Sequence, residues 1–167
     1  MKNNCIYFAE GKCEERLLNA LKENPQKIQS GRVKVFNVIQ ELIPKSQLVT
    51  IQAGTTVVLV FDTDVPNTEC LRENIKRLST LCTKLKLVFL PQVLNFEDEL
   101  VRSCEIKNVT ELTHSRSNKD FKRDFCALKN VRAVLDRANL NMGRIWTEKT
   151  PDKFAFIVEN SHEIKIK

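Results

Sequence analysis

Three observations predict an α/β fold with a mainly parallel sheet and helices on both faces. Short apolar runs alternate with segments of helical periodicity along residues 4–104. One run, Val57-Val58-Leu59-Val60-Phe61, is apolar at every position, as suits a central parallel strand buried on both sides. The repeated strand–helix order demands crossover connections, and crossovers make parallel neighbours.

The elements follow in order. Residues 4–9 read as a strand, and Gly11 allows a tight turn. Cys13, Leu17, Ala20 and Leu21 recur at helical spacing, so residues 12–23 form an amphipathic helix that stops at Asn24-Pro25. Val33 and Val35 alternate as a second strand, with Asn37-Val38 as a candidate continuation. A short helix is expected within residues 39–53, with Pro44 at its start and Gly54 beyond its end. A third strand covers residues 56–61. Leu71, Ile75, Leu78 and Cys82 mark a helix over 68–83, and residues 85–90 form a fourth strand. Asn95 caps a helix whose Phe96, Leu100 and Cys104 face the core. Residues 1–107 thus form one α/β core, and residues 108–167 a small α+β elaboration packed on it. In the elaboration, Phe121, Phe125 and Leu128, then Val131, Val134 and Leu135, predict two helices or one kinked near Asn130. Trp146 and Pro151 fall in a loop. Alternation over 153–158 and 162–167 predicts a C-terminal hairpin, with Lys165 and Lys167 on an exposed edge.

The chain's 167 residues are enough for a core without staples. Six cysteines occur without a Cys-x-x-Cys pair, and only His114 and His162 are available to complete a zinc site. Cys5, Cys70, Cys82 and Cys104 lie in apolar periodic segments, so reduced core cysteines in a cytoplasmic protein are expected. The apolar run near the N-terminus is five residues long, short of a secretory segment. The uncharged stretch 46–61 is too short and too polar to span a bilayer, so no membrane association is expected.

The formal net charge is +6, unevenly spread. Residues 1–100 hold 13 basic and 12 acidic residues, while 101–167 hold 14 and 9. Arg116, Lys119, Lys122 and Arg123 form the densest basic segment. They suit a polyanion such as DNA or RNA presented to the first part of the chain, or else a solvated helix face.

Acidic residues mark the strand ends. Glu10 follows the first strand and Asp62-Thr63-Asp64 closes the third. Open α/β sheets place ligands at the C-terminal ends of their strands. If strand geometry continues past Asp62, its carboxylate and that of Asp64 point to the same side. Glu14 lies in the first helical turn, where side chains lean back toward the N-terminus and so toward Glu10. Converging carboxylates repel unless a hard divalent cation joins them. Glu97 and Asp98 open the helix after the fourth strand, either as acids favoured by the helix dipole or, for Glu97, as a further ligand.

Glu10-Gly11 and Asp62-Thr63-Asp64, in this order and on these strands, resemble the Toprim domain of topoisomerases, primases and OLD-type nucleases. The resemblance covers about the first hundred residues. The run Glu10-Gly11-Lys12-Cys13-Glu14 looks most like the OLD and RloB-like branch, as does Asn95-Phe96-Glu97. It implies a nuclease dependent on Mg²⁺ or Mn²⁺, with Glu10, Asp62 and Asp64 catalytic and Glu10, Glu14, Asp62, Asp64 and Glu97 around one or two ions. Two ions about 4 Å apart would stabilise both the attacking and the leaving oxygen. Lys12, with Arg116, Lys119, Lys122 and Arg123, would contact the nucleic acid.

The only tyrosine, Tyr7, lies within a strand, which argues against a type IA topoisomerase. There is no cysteine-rich zinc module of the primase kind. There is no P-loop either, so any partner ATPase would be a separate protein. That favours the stand-alone RloB-like type, which implies a role in prokaryotic anti-phage or restriction-associated defence. The competing expectations are a catalytically weak nucleic-acid-binding or ATPase-regulating subunit, and a receiver-like domain. The receiver-like domain is disfavoured because Glu10 stands where an aspartate cluster belongs.

Overall fold

The computed structural model describes residues 4–81 and 84–166. Its core is a four-stranded, all-parallel sheet in the order β2-β1-β3-β4. The strands are β1 (Cys5–Ala9), β2 (Arg32–Val35), β3 (Thr56–Asp62) and β4 (Lys86–Gln92). The helices of the core are α1 (Lys12–Lys22), α2 (Lys45–Leu48), α3 (Glu69–Leu81) and α4 (Phe96–Ser103). Three more follow: α5 (Thr110–Thr113), α6 (Asn118–Ala127) and α7 (Val131–Arg137).

Strand alternation divides the interior into two layers. Tyr7, Ala9, Val58, Val60, Val88 and Leu90 face one layer, where they meet apolar residues of α1, α4, α6 and α7. Phe8, Val57, Leu59, Phe61 and Phe89 face the other, with Leu71 and Leu78 of α3. Helices therefore cover both faces, and every residue of β3 is buried. Gly31 lets β2 begin close against β1, since a Cβ there would lie 2.6 Å from the Cys5 carbonyl oxygen. Asn95 caps α4 by accepting from the Asp98 N–H at 3.0 Å, and Asn130 caps α7 by accepting from Ala133 at 2.9 Å. That second cap settles the choice near Asn130 in favour of two helices. Cys82, expected in α3, and Lys167 lie outside the described residues.

Two expectations are corrected. β2 stops at Val35, and Asn37 turns the chain by accepting from the Ile39 and Gln40 N–H groups. The C-terminal segment forms no hairpin among the described residues. It carries two short 3-10 turns, Asp152–Phe154 and Ser161–Ile164. The alternation that suggested strands reflects anchors on different surfaces. Phe154 stacks on Phe61 at 5.7 Å in one layer, and Ile164 is buried in the other. Between them, Asn160 accepts from the Phe89 N–H at 2.9 Å and donates to the Leu87 carbonyl at 2.8 Å. The segment wraps around β4 and occupies backbone groups of that open edge, which is one way to protect an edge strand. Lys165 bridges to Ile28, and its ammonium donates to the Ile145 carbonyl. No helix among the described residues is long and apolar enough to cross a membrane.

Candidate metal centre

The C-terminal ends of β1 and β3 meet the N-terminus of α1 and one turn of α6 in a cleft of about 460 Å³. Glu10, Lys12, Glu14, Asn37, Asp62, Lys122 and Arg123 are among its lining residues.

Glu10 ties the strand ends together. Its carboxylate accepts from the Asp62 N–H at 3.0 Å and from the Asn37 side-chain amide at 3.0 Å. The Asn37 oxygen is held by the turn after β2, so its amide nitrogen is aimed at Glu10. Glu14 is buried, and it leans back as its place in the first helical turn dictates. A Cβ on Gly11 would lie 3.0 Å from the Glu14 carboxylate, so the glycine makes room for it. Burial, and then the Glu10 charge, push the Glu14 carboxyl above the usual range. The N–H groups of Glu14 and Gly11 pull it back in part.

Asp62 is 7 % exposed, and its Oδ1 has no hydrogen-bond partner. Burial, then Glu10, Glu14 and Asp64, push its carboxyl up to about 8, against the opposing pull of Lys122. Among the charges acting on Asp62, Glu10 and Glu14 each outweigh Lys122. Lys122 is the counter-charge. Its ammonium is 3.4 Å from Glu97 Oε2, an ion pair without hydrogen-bond geometry. Burial works against its charge, but Glu97, Asp62 and Glu14 outweigh that and raise its pKa. The turn carrying Lys122 is held against α1: the Cys13 thiol is 3.5 Å from the Lys122 carbonyl and 3.3 Å from Cys126 Sγ.

Glu10, Glu14 and Asp62 thus come together, with Glu97 reached through Lys122. Asp64 does not join them. Strand geometry ends at Asp62, where the Thr63 N–H bonds both the Gln92 and Leu94 carbonyls and the Asp64 N–H bonds Leu94 again. Asp64 is consequently exposed and off the cleft, and it acts on Asp62 only at a distance. Lys12 lines the cleft but pairs with Glu15 at 2.7 Å. Arg123 lines it too, and pairs with Asp120 and Asp124. Arg116 and Lys119 are exposed and not among its lining residues, as is His114 at the end of α5.

Sequence reading missed Asn37 and Gln92 as site neighbours. Both are polar side chains at C-terminal strand ends, and that position was the available signal. Among the described residues, no three of His, Cys, Asp and Glu are arranged to hold a metal ion. The donor chemistry still fits a hard cation: hard oxygen donors, one of them a buried carboxylate oxygen without a partner. No family model, no curated protein and no solved structure matches this chain.

Proposed function

We propose that the chain is a metal-dependent nuclease of the Toprim kind, cleaving phosphodiester bonds in DNA or RNA with Mg²⁺ or Mn²⁺ held at Asp62. The supporting observation is the partnerless, buried Asp62 oxygen beside Glu10 and Glu14 at the ends of a parallel sheet. Glu10 fixes the Asp62 backbone, so it positions the ligand. Glu14 acts on Asp62 from within the cleft, and Asp64 contributes to the field from outside it. A bound divalent ion would supply Lewis-acid stabilisation of the phosphate oxygens. Lys122 and Arg123 line the cleft and set positive charge where a phosphate would enter, and Arg116 and Lys119 are exposed on the same basic segment. The resemblance adds prokaryotic defence and a separate ATPase as context.

A second reading, a catalytically weak nucleic-acid-binding or regulatory subunit, is favoured by two observations. Lys122 already serves as a cation among the carboxylates, and Asp64 stands outside. The two readings separate in one experiment. Purified protein is given labelled single- and double-stranded DNA and RNA with Mg²⁺, Mn²⁺ or chelator. The nuclease reading expects cleavage only with metal, and a loss of roughly hundredfold or more in Glu10→Gln and Asp62→Asn. Cleavage that survives chelator and both variants would contradict it. Binding without cleavage, weakened alike for all sequences by Arg116→Ala with Lys119→Ala, would transfer the case to the second reading.

A further inference from the structure

Gln92 closes β4 with no exposure, and neither its side-chain nitrogen nor its side-chain oxygen has a hydrogen-bond partner. Buried amides are normally satisfied, so an orphaned one calls for a reason. Its position supplies one. Gln92 is the register partner of Asp62 in the parallel ladder. Register partners on adjacent strands share a face. Two residues earlier on each strand, Val60 and Leu90 point into the layer beneath α1, α4 and α6. Asp62 and Gln92 therefore stand side by side on the face that carries the cleft. The Gln92 carbonyl accepts from the Thr63 N–H at 3.1 Å, which pins the two strand ends together. A bond from the Gln92 amide to Asp62 Oδ1 would satisfy both groups, yet both remain without partners.

We infer that Gln92 is an uncharged oxygen ligand of the cation site, sharing a divalent ion with Asp62 directly or through the ion's water shell. This rests on the metal reading above and names a residue that the reading does not include. Hard cations accept amide oxygens as well as carboxylates, and Mg²⁺ commonly takes only one or two carboxylates and keeps several waters. A neutral donor adds no repulsion where Glu10, Glu14 and Asp62 already crowd. The competing occupant is one bridging water, which would need the same two partners.

The test is Mn²⁺ binding by the full chain, read by calorimetry and by the electron paramagnetic resonance of the free ion. It compares wild type, Asp62→Asn, Gln92→Leu, Gln92→Asn and Gln92→Glu. Gln92→Leu should weaken Mn²⁺ roughly tenfold or more. In chelator its melting temperature should be unchanged or higher, because the amide it removes has no partner to lose. Gln92→Glu should bind at least as tightly as wild type above pH 8. If Gln92→Leu folds poorly, Gln92→Asn, which withdraws the amide by one carbon, must show the weakening instead. Wild-type affinity in Gln92→Leu, or in Gln92→Asn where that variant is needed, would overturn the inference and leave a water-bridged amide. If Asp62→Asn loses Mn²⁺ while the Gln92 variants keep it, the inference alone falls. If wild type binds no Mn²⁺, or Asp62→Asn binds it equally well, the metal reading falls with it.

Discussion

Asp62 is the central residue of the site, because its chemistry runs against its surroundings. It is an acid at the end of an entirely buried strand, with acidic neighbours and one unsatisfied oxygen. A carboxyl raised from 3.8 to about 8 keeps its proton in the folded protein over a range where the unfolded chain has lost it. The native state then binds more protons than the unfolded one, so stability falls as pH rises through that window. Glu14, also raised, acts in the same direction. In chelator, the wild-type melting temperature should therefore drop between about pH 5 and pH 8, a loss on the order of a few kcal/mol. Asp62→Asn should flatten that slope and be the more stable protein at pH 8. Thermal melts across pH check this. A wild type that gains stability over the window would mean that Asp62 is a paired structural acid.

At the scale of elements, the strands and helices of the core were legible because their periodicities differ and their punctuation is local. Five apolar residues announced β3, and Asn95 announced α4. Glu14 was placed correctly by the backward lean of helical side chains. Asp64 was not, because the turn that exposes it is made by bonds to Gln92 and Leu94, some thirty residues away in sequence. The C-terminal strap was illegible for a similar reason. Its apolar alternation looks like a strand, but its partners lie on both faces and one edge of the sheet. Asn160 carries that edge contact. Asn160→Ala would leave the Phe89 N–H and Leu87 carbonyl without their partner, at a cost of about 1–3 kcal/mol. Denaturant melts should show that loss with Mn²⁺ affinity intact. A neutral substitution would mean that the strap does not hold the β4 edge.

Over the whole molecule, charge and topology converge on one end of the sheet. The ends of β1 and β3 bring the acids, α1 brings Glu14, and α6 brings Lys122 and Arg123 from the basic half of the chain. The uneven charge of the two halves was visible in the sequence. What was not visible is that Lys122 folds in among the acids instead of standing only on an outer surface. A cation is thus already in place, and a divalent ion would add to it or displace it. The most direct test is anomalous diffraction from crystals of the full chain grown with Mn²⁺. Such crystals should show a peak beside the Asp62 carboxylate, within the cleft lined by Glu10 and Glu14. Crystals with no peak in that cleft at saturating Mn²⁺, and with Lys122 still over Glu97, would contradict it.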